Sequence, residues 1–135
     1  MRAFVRPYLT GLCSLLLVRP SFAGEAAKIE WLPWSDTIFE QAQREHRFVL
    51  LDLEAVWCHW CHVMDEQTYA DPKVVALVRS HYLPVKVDQD SRPDISDRYE
   101  DYGWPATVVF KSDGSEIVKR QGYLPPKLKI GRAHV

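Results

Sequence analysis

Phe48-Val49-Leu50-Leu51-Asp52-Leu53-Glu54-Ala55-Val56-Trp57-Cys58-His59-Trp60-Cys61-His62-Val63-Met64 is the stretch that decides the fold. Its opening, Phe48 to Leu53, is too continuously apolar to alternate and too short for a helix, so it reads as a strand covered on both faces within a parallel sheet. A polar, helix-like stretch follows, and Cys58 is expected at the mouth of the strand-to-helix turn. There the first free backbone N–H groups and the positive end of the helix dipole favour a thiolate, lowering the thiol pKa from about 8.5 toward 7 or below. Cys58 and Cys61, so placed, form a dithiol/disulfide couple.

The 135 residues, 47% hydrophobic and 26% charged, describe one globular domain large enough to bury a core without staples. A net charge of -1 and the lack of a basic run give no field for nucleic acid or an anionic membrane.

Residues 1–23 read as a signal peptide. Arg2 and Arg6 precede a mostly apolar run from Leu9 to Val18, and Ser21-Phe22-Ala23 offers small residues where a signal peptidase reads, which places cleavage after Ala23. The run is too short to span a bilayer, and Arg19-Pro20 would break a core element. Export into the periplasm or medium is therefore expected, and Cys13 leaves with the peptide. The mature chain then keeps only Cys58 and Cys61, too few for a four-cysteine zinc site or a structural disulfide framework.

Within the domain at 24–129, Ile29 to Trp34 reads as a short extended segment with its tryptophans on the domain edge. Ser35 or Thr37 is expected to cap the next helix, Thr37 with Glu40 three residues on, and Ile38, Phe39 and Ala42 form its apolar face up to His46. Asp71-Pro72 opens another helix as cap and first residue, with Val74, Val75, Leu77 and Val78 as its buried stripe. Leu83 to Val87 reads as a strand, Asp94 to Tyr102 as a polar helix and Ala106 to Phe110 as a strand. Asp113-Gly114 then turns a hairpin into Ile117 to Arg120. Alternating helices and strands imply an α/β domain with parallel pairs and an antiparallel edge.

A strand, Trp-Cys-x-x-Cys and a helix, with Asp52 six residues before the first cysteine and a proline opening a later strand, resemble the thioredoxin superfamily. Five motifs narrow this: Trp31-Leu32-Pro33-Trp34, Cys58 to Met64, Val85-Lys86-Val87-Asp88, Arg92-Pro93-Asp94-Ile95 and Gly103-Trp104-Pro105. From about Ile29 to Pro126 the chain is similar to the thioredoxin-like domain of the spermatogenesis-associated thioredoxin-like proteins. Those relatives usually carry a longer insertion before Gly-Trp-Pro and often a large C-terminal domain. They tend to lack an acid at Asp52, where this chain is closer to ordinary thioredoxins and periplasmic thiol:disulfide interchange domains.

The resemblance implies a thioredoxin-like fold, a central mixed sheet flanked by helices, and a thiol:disulfide oxidoreductase. Cys58, exposed at the helix start, would attack a substrate disulfide; Cys61, one turn in and more buried, would resolve the mixed disulfide. Asp52 resembles the buried acid that accepts and returns the proton of the second cysteine, its pKa raised by an apolar strand, and Glu54 on the same face could substitute. Pro105 resembles the cis-proline that faces the cysteines, leaving the Trp104 backbone to pair with an extended substrate. Trp57 and Trp60 are further substrate contacts. His59 and His62 are expected to tune the couple, an imidazolium beside Cys58 favouring its thiolate. His46 and His81 read as helix-end residues.

Two rivals share these residues. Cys58-His59-Trp60-Cys61-His62 also satisfies the c-type haem signature, but Met64 is badly placed as the opposite ligand and the strand pattern is foreign to small helical cytochromes. In the other, a non-catalytic module binds a metal ion or a client protein through Cys58, Cys61 and His62. The favoured expectation is a monomer without cofactor or metal, acting on disulfides of exported proteins or small molecules, with no nucleic-acid or membrane partner. At the C-terminus, Pro125 to Lys129 looks like the opening turn of a final helix, and Ile130 to Val135 like a non-native tail, so a truncated last helix is expected.

Overall fold

The structure is a computed structural model that describes residues 27–127. The expected signal peptide, Cys13 and the 130–135 tail lie outside the described residues. So does the chain beyond Lys127, where Pro126 and Lys127 begin a helical turn.

The elements run α1 (Ile38–Glu45), β1 (Phe48–Glu54), α2 (His59–Gln67), α3 (Pro72–His81), β2 (Tyr82–Asp88), α4 (Pro93–Ser96), a 3-10 helix (Asp97–Tyr102), β3 (Ala106–Phe110) and β4 (Glu116–Gln121). The sheet order is β2-β1-β3-β4, with β1 parallel to β2 and antiparallel to β3, and β3 antiparallel to β4. The continuous apolar run is thus central, and the sheet is mixed, both as expected. The first extended segment is not a full strand. It adds one parallel bridge, Leu32 to Val85, held by Leu32 N–H to Pro84 O at 2.8 Å and Lys86 N–H to Leu32 O at 3.0 Å.

Strand alternation divides β1 between two cores. Val49, Leu51 and Leu53 pack with Ile38, Ala42, Val85, Val87 and Phe110 on the α1 side. Leu50 packs with Met64, Val74, Val75 and Val78 under α2 and α3. By the same alternation Asp52 and Glu54 point toward the α2 side, which places carboxylates beneath the helix that carries the cysteines. Of the expected α3 stripe, Leu77 is only half-buried. Trp31 meets Tyr69 edge-on at 4.7 Å, and Trp34 meets Phe39 at 5.9 Å.

The helix ends separate strong capping from weak. Asp71 Oδ1 accepts the backbone N–H of Lys73 at 2.9 Å and of Val74 at 3.1 Å, with Pro72 in the first turn. Thr37 holds the cap position of α1, yet its hydroxyl makes no cap bond and Glu40 turns to Arg44. The expected capping box is therefore absent, because the backbone at Thr37 (φ -94°, ψ 5°) is not extended and its side chain is not aimed at the free amides. His46 closes α1 in the left-handed region, and His81 ends α3. The polar stretch expected as one helix is a four-residue α4 continued as a 3-10 helix. At the β3–β4 turn Gly114 sits at φ +86°, and Asp113 Oδ1 accepts from the Ser115 N–H and hydroxyl. Among the described residues no helix is long and apolar enough to cross a membrane.

This contrast predicts that Asp71→Ala lowers stability by about 1 kcal/mol, read as an earlier urea midpoint with unchanged slope. Thr37→Ala should leave the midpoint within error; an equal loss in both variants would contradict the capping assignment.

Candidate functional site: a disulfide at a helix N-terminus above a carboxylate-lysine cluster

Where β1 ends, Ala55 is buried and the Cys58 N–H returns to its carbonyl at 2.9 Å, closing a turn that delivers Cys58 to the N-cap of α2. Its Sγ accepts the Cys61 backbone N–H at 3.1 Å, in the manner of a Ser or Asp cap. Cys58 and Cys61 are joined as a disulfide, with Cα atoms 5.3 Å apart.

The pair is less open than expected. Cys58 is 6% exposed and Cys61 3%, so the view of Cys58 as exposed is corrected for the oxidised form. Ala55, Cys58 and Cys61 form one buried cluster, and Trp104 packs against it. The Trp104–Pro105 peptide is cis, as expected, and Pro105 is fully buried. The Trp104 indole N–H is buried with no acceptor among the described residues. Openness lies instead in the flanking side chains: Val56 is 69%, Trp57 64% and Trp60 55% exposed. Trp60 is edged by His59 at 5.4 Å and leans on Tyr123 at 5.8 Å, whose hydroxyl donates to Gln67.

Beneath α2, Lys86 of β2 gathers the acids. Its Nζ lies 3.6 Å from Asp52 Oδ2, 3.0 Å from Glu54 Oε2 and 2.6 Å from Asp65 Oδ1, and sits over the Trp31 ring at 4.8 Å. Burial alone would lower the Lys86 pKa, but Asp52, followed by Asp65 and Glu54, outweighs it and holds the ammonium above its ordinary value. Tyr69 donates to Asp52 Oδ1 at 2.9 Å, and burial, then the Asp52 charge, push its phenol well above the usual range. Asp52 is therefore buried at 2% exposure as expected, but not in a purely apolar setting. The Lys86 ammonium lies 3.6 Å from Oδ2 and the Tyr69 hydroxyl donates to Oδ1.

Lys86, Asp65 and Tyr69 escaped the sequence reading as site residues. A lysine inside the otherwise apolar Leu83 to Val87 was the available signal, and its pairing in register with Asp52 is visible only in the structure. The histidines divide. His59 lies exposed against Trp60, whereas the His62 Nε2 bonds the Val56 carbonyl at 3.0 Å. Among the described residues the close set of potential metal ligands is Asp52, Glu54 and Asp65, and Lys86 already supplies the positive charge there. The Cys58, Cys61 and His62 set imagined for a metal instead has its sulfurs bonded to each other and its imidazole turned to a carbonyl.

Lys86→Met should cost about 3 kcal/mol at neutral pH, since it strands the buried Asp52 carboxylate without its cation. The deficit should shrink as pH climbs past about 10, where Lys86 of the wild type gives up its proton and the two proteins become alike. In the wild type Lys86 and Tyr69 hold their protons more tightly folded than unfolded, so their contribution is complete below pH about 10 and is lost as pH climbs past it. Denaturation of both proteins across pH checks this. A pH-independent deficit would contradict the charge cluster.

Comparison with known proteins agrees with this geometry. Human spermatogenesis-associated protein 20 is 31% identical over 107 residues, covering 73% of this chain and 14% of that protein. Thioredoxin-2 of Pyricularia oryzae is 36% identical over 95 residues, covering 67% of this chain and 50% of that one. The chain thus spans half or less of the length of these relatives. Among solved structures, one described as DsbH oxidoreductase superposes with a TM-score of 0.66 at 19% identity, over 96% of this chain and 94% of its own, which shows the shared thioredoxin-like fold. The sequence profile of Thioredox_DsbH, described as a protein of unknown function, DUF255, matches residues 22–135. Because that match takes in every described residue, the chain belongs to the Thioredox_DsbH (DUF255) family.

Proposed function

We propose that this thioredoxin-like domain is a thiol:disulfide oxidoreductase, passing two electrons between the Cys58/Cys61 couple and disulfides of polypeptides or small molecules. The observation that carries the reading is the Cys58–Cys61 disulfide at the N-terminus of α2, roofed by Trp104 beside a cis Pro105. The 36% identity to a protein named thioredoxin supports it. An exported setting rests on the sequence of residues 1–23 alone.

In the reduced protein the Cys58 thiolate, stabilised by the Cys61 N–H and the helix end, attacks one sulfur of a substrate disulfide. That bond breaks, the first substrate sulfur leaves as a thiolate, and a mixed disulfide with Cys58 forms. Cys61 gives up its proton and attacks Cys58 Sγ, which releases the second substrate sulfur and regenerates the internal disulfide. The substrate has gained two electrons and the protein has lost two. Asp52, buried on the α2 side of β1, takes the Cys61 proton, and Glu54 is its understudy. Trp57, Trp60 and the Trp104 backbone contact the substrate. Run backward, the same steps oxidise a dithiol, and the potential relative to the partner couple sets the direction.

With insulin as substrate and dithiothreitol as reductant, Cys58→Ser should abolish turnover; pre-reduced Cys61→Ser, mixed with insulin after the dithiothreitol is removed, should halt at an isolable mixed disulfide. Asp52→Asn should slow resolution by roughly tenfold, at or below the usual range for acid-base assistance because Glu54 remains. Equal rates for wild type and Cys58→Ser would exclude the proposal.

A further inference from the structure

The backbone of Val56, two residues before Cys58, is held at its N–H and at its carbonyl by side chains. Its N–H donates to Asp88 Oδ2 at 3.2 Å, and its carbonyl receives the His62 Nε2 at 3.0 Å. A carbonyl only accepts, so Nε2 carries the hydrogen. Asp88 is itself immobilised, because its Oδ1 accepts from the Asp90 N–H, the Ser91 N–H and the Ser91 hydroxyl at the end of β2. These fastenings secure a lip that is unfavourable by itself: Val56 and Trp57 stand 69% and 64% exposed, beside sulfurs that are nearly covered.

Resting on the oxidoreductase reading, we propose that His62 and Asp88 are positioning residues that preorganise Val56 and Trp57 as a docking lip for polypeptide disulfides. A peptide segment with apolar side chains beside its cystine covers Val56, Trp57 and Trp60 while presenting a sulfur to Cys58. A small, charged disulfide such as glutathione disulfide reaches the sulfur and leaves those surfaces wet. Burial of the three side chains favours the polypeptide, and the clasp removes the ordering cost that a loose loop would add on binding. His62 thereby acts through the Val56 carbonyl and not as a charge on Cys58.

The test compares kcat/KM of wild type, His62→Ala and His62→Gln toward insulin and toward glutathione disulfide, together with the Cys58/Cys61 reduction potential. His62→Ala should lose roughly tenfold on insulin, carried by KM, with glutathione disulfide and the potential unchanged. His62→Gln, whose amide N–H can reach the same carbonyl, should restore most of it. Equal losses on both substrates, a shifted potential, or no loss would each overturn the clasp. A wild type inert toward both substrates would instead sink the oxidoreductase reading, and the clasp with it.

Discussion

The ammonium of Lys86 among Asp52, Glu54 and Asp65 ties the layers together. Two of those acids belong to β1, the lysine to β2 and the third to α2, so one cation fixes the cysteine helix to the sheet at 2.6–3.6 Å. Carboxylates so close repel one another, and burial penalises each charge. Only a cation in their midst makes the arrangement tenable, and the Lys86 ammonium lies over the ring of Trp31. With that junction in place, Cys58 caps α2 and its sulfur receives the helix's own amide.

Above the junction the design reverses the usual distribution of polarity. The disulfide sulfurs are packed against Trp104, while Val56, Trp57 and Trp60 are left in water. Exposed apolar side chains add nothing to folding, so their cost is met by burial elsewhere, chiefly the valines and leucines on the two faces of the sheet. Asp88, which accepts the Val56 N–H, and His62, which donates to the Val56 carbonyl, keep part of this surface from collapsing onto the domain.

Much of this was legible in the chain itself. The unbroken run from Phe48 marked the central strand, Asp71-Pro72 a capped helix and Asp113-Gly114 the hairpin, because each is a local preference expressed over a few residues. The cysteine pair was legible from its place after the strand, and the cis Pro105 through resemblance. What escaped depends on contacts distant in sequence. Lys86 meets Asp65 across 21 residues, where α2 packs on the sheet, and Val56 meets Asp88 across 32, where the parallel register brings the ends of β1 and β2 together; no local pattern shows either. Thr37 failed as a cap because suitable chemistry does not ensure a suitable backbone angle. Cys58 was expected to be open because its position beside a turn says nothing of the indole that folds over it.

The central claim is that the Cys58–Cys61 bond opens and closes reversibly at a fixed helix end. A redox titration in glutathione buffers, followed by the emission of the tryptophans around the pair, tests it most directly. One reversible two-electron transition, superimposable in the reducing and oxidising directions and lost in Cys61→Ser, is the predicted result. A bond that resists reduction until the domain unfolds would contradict the account.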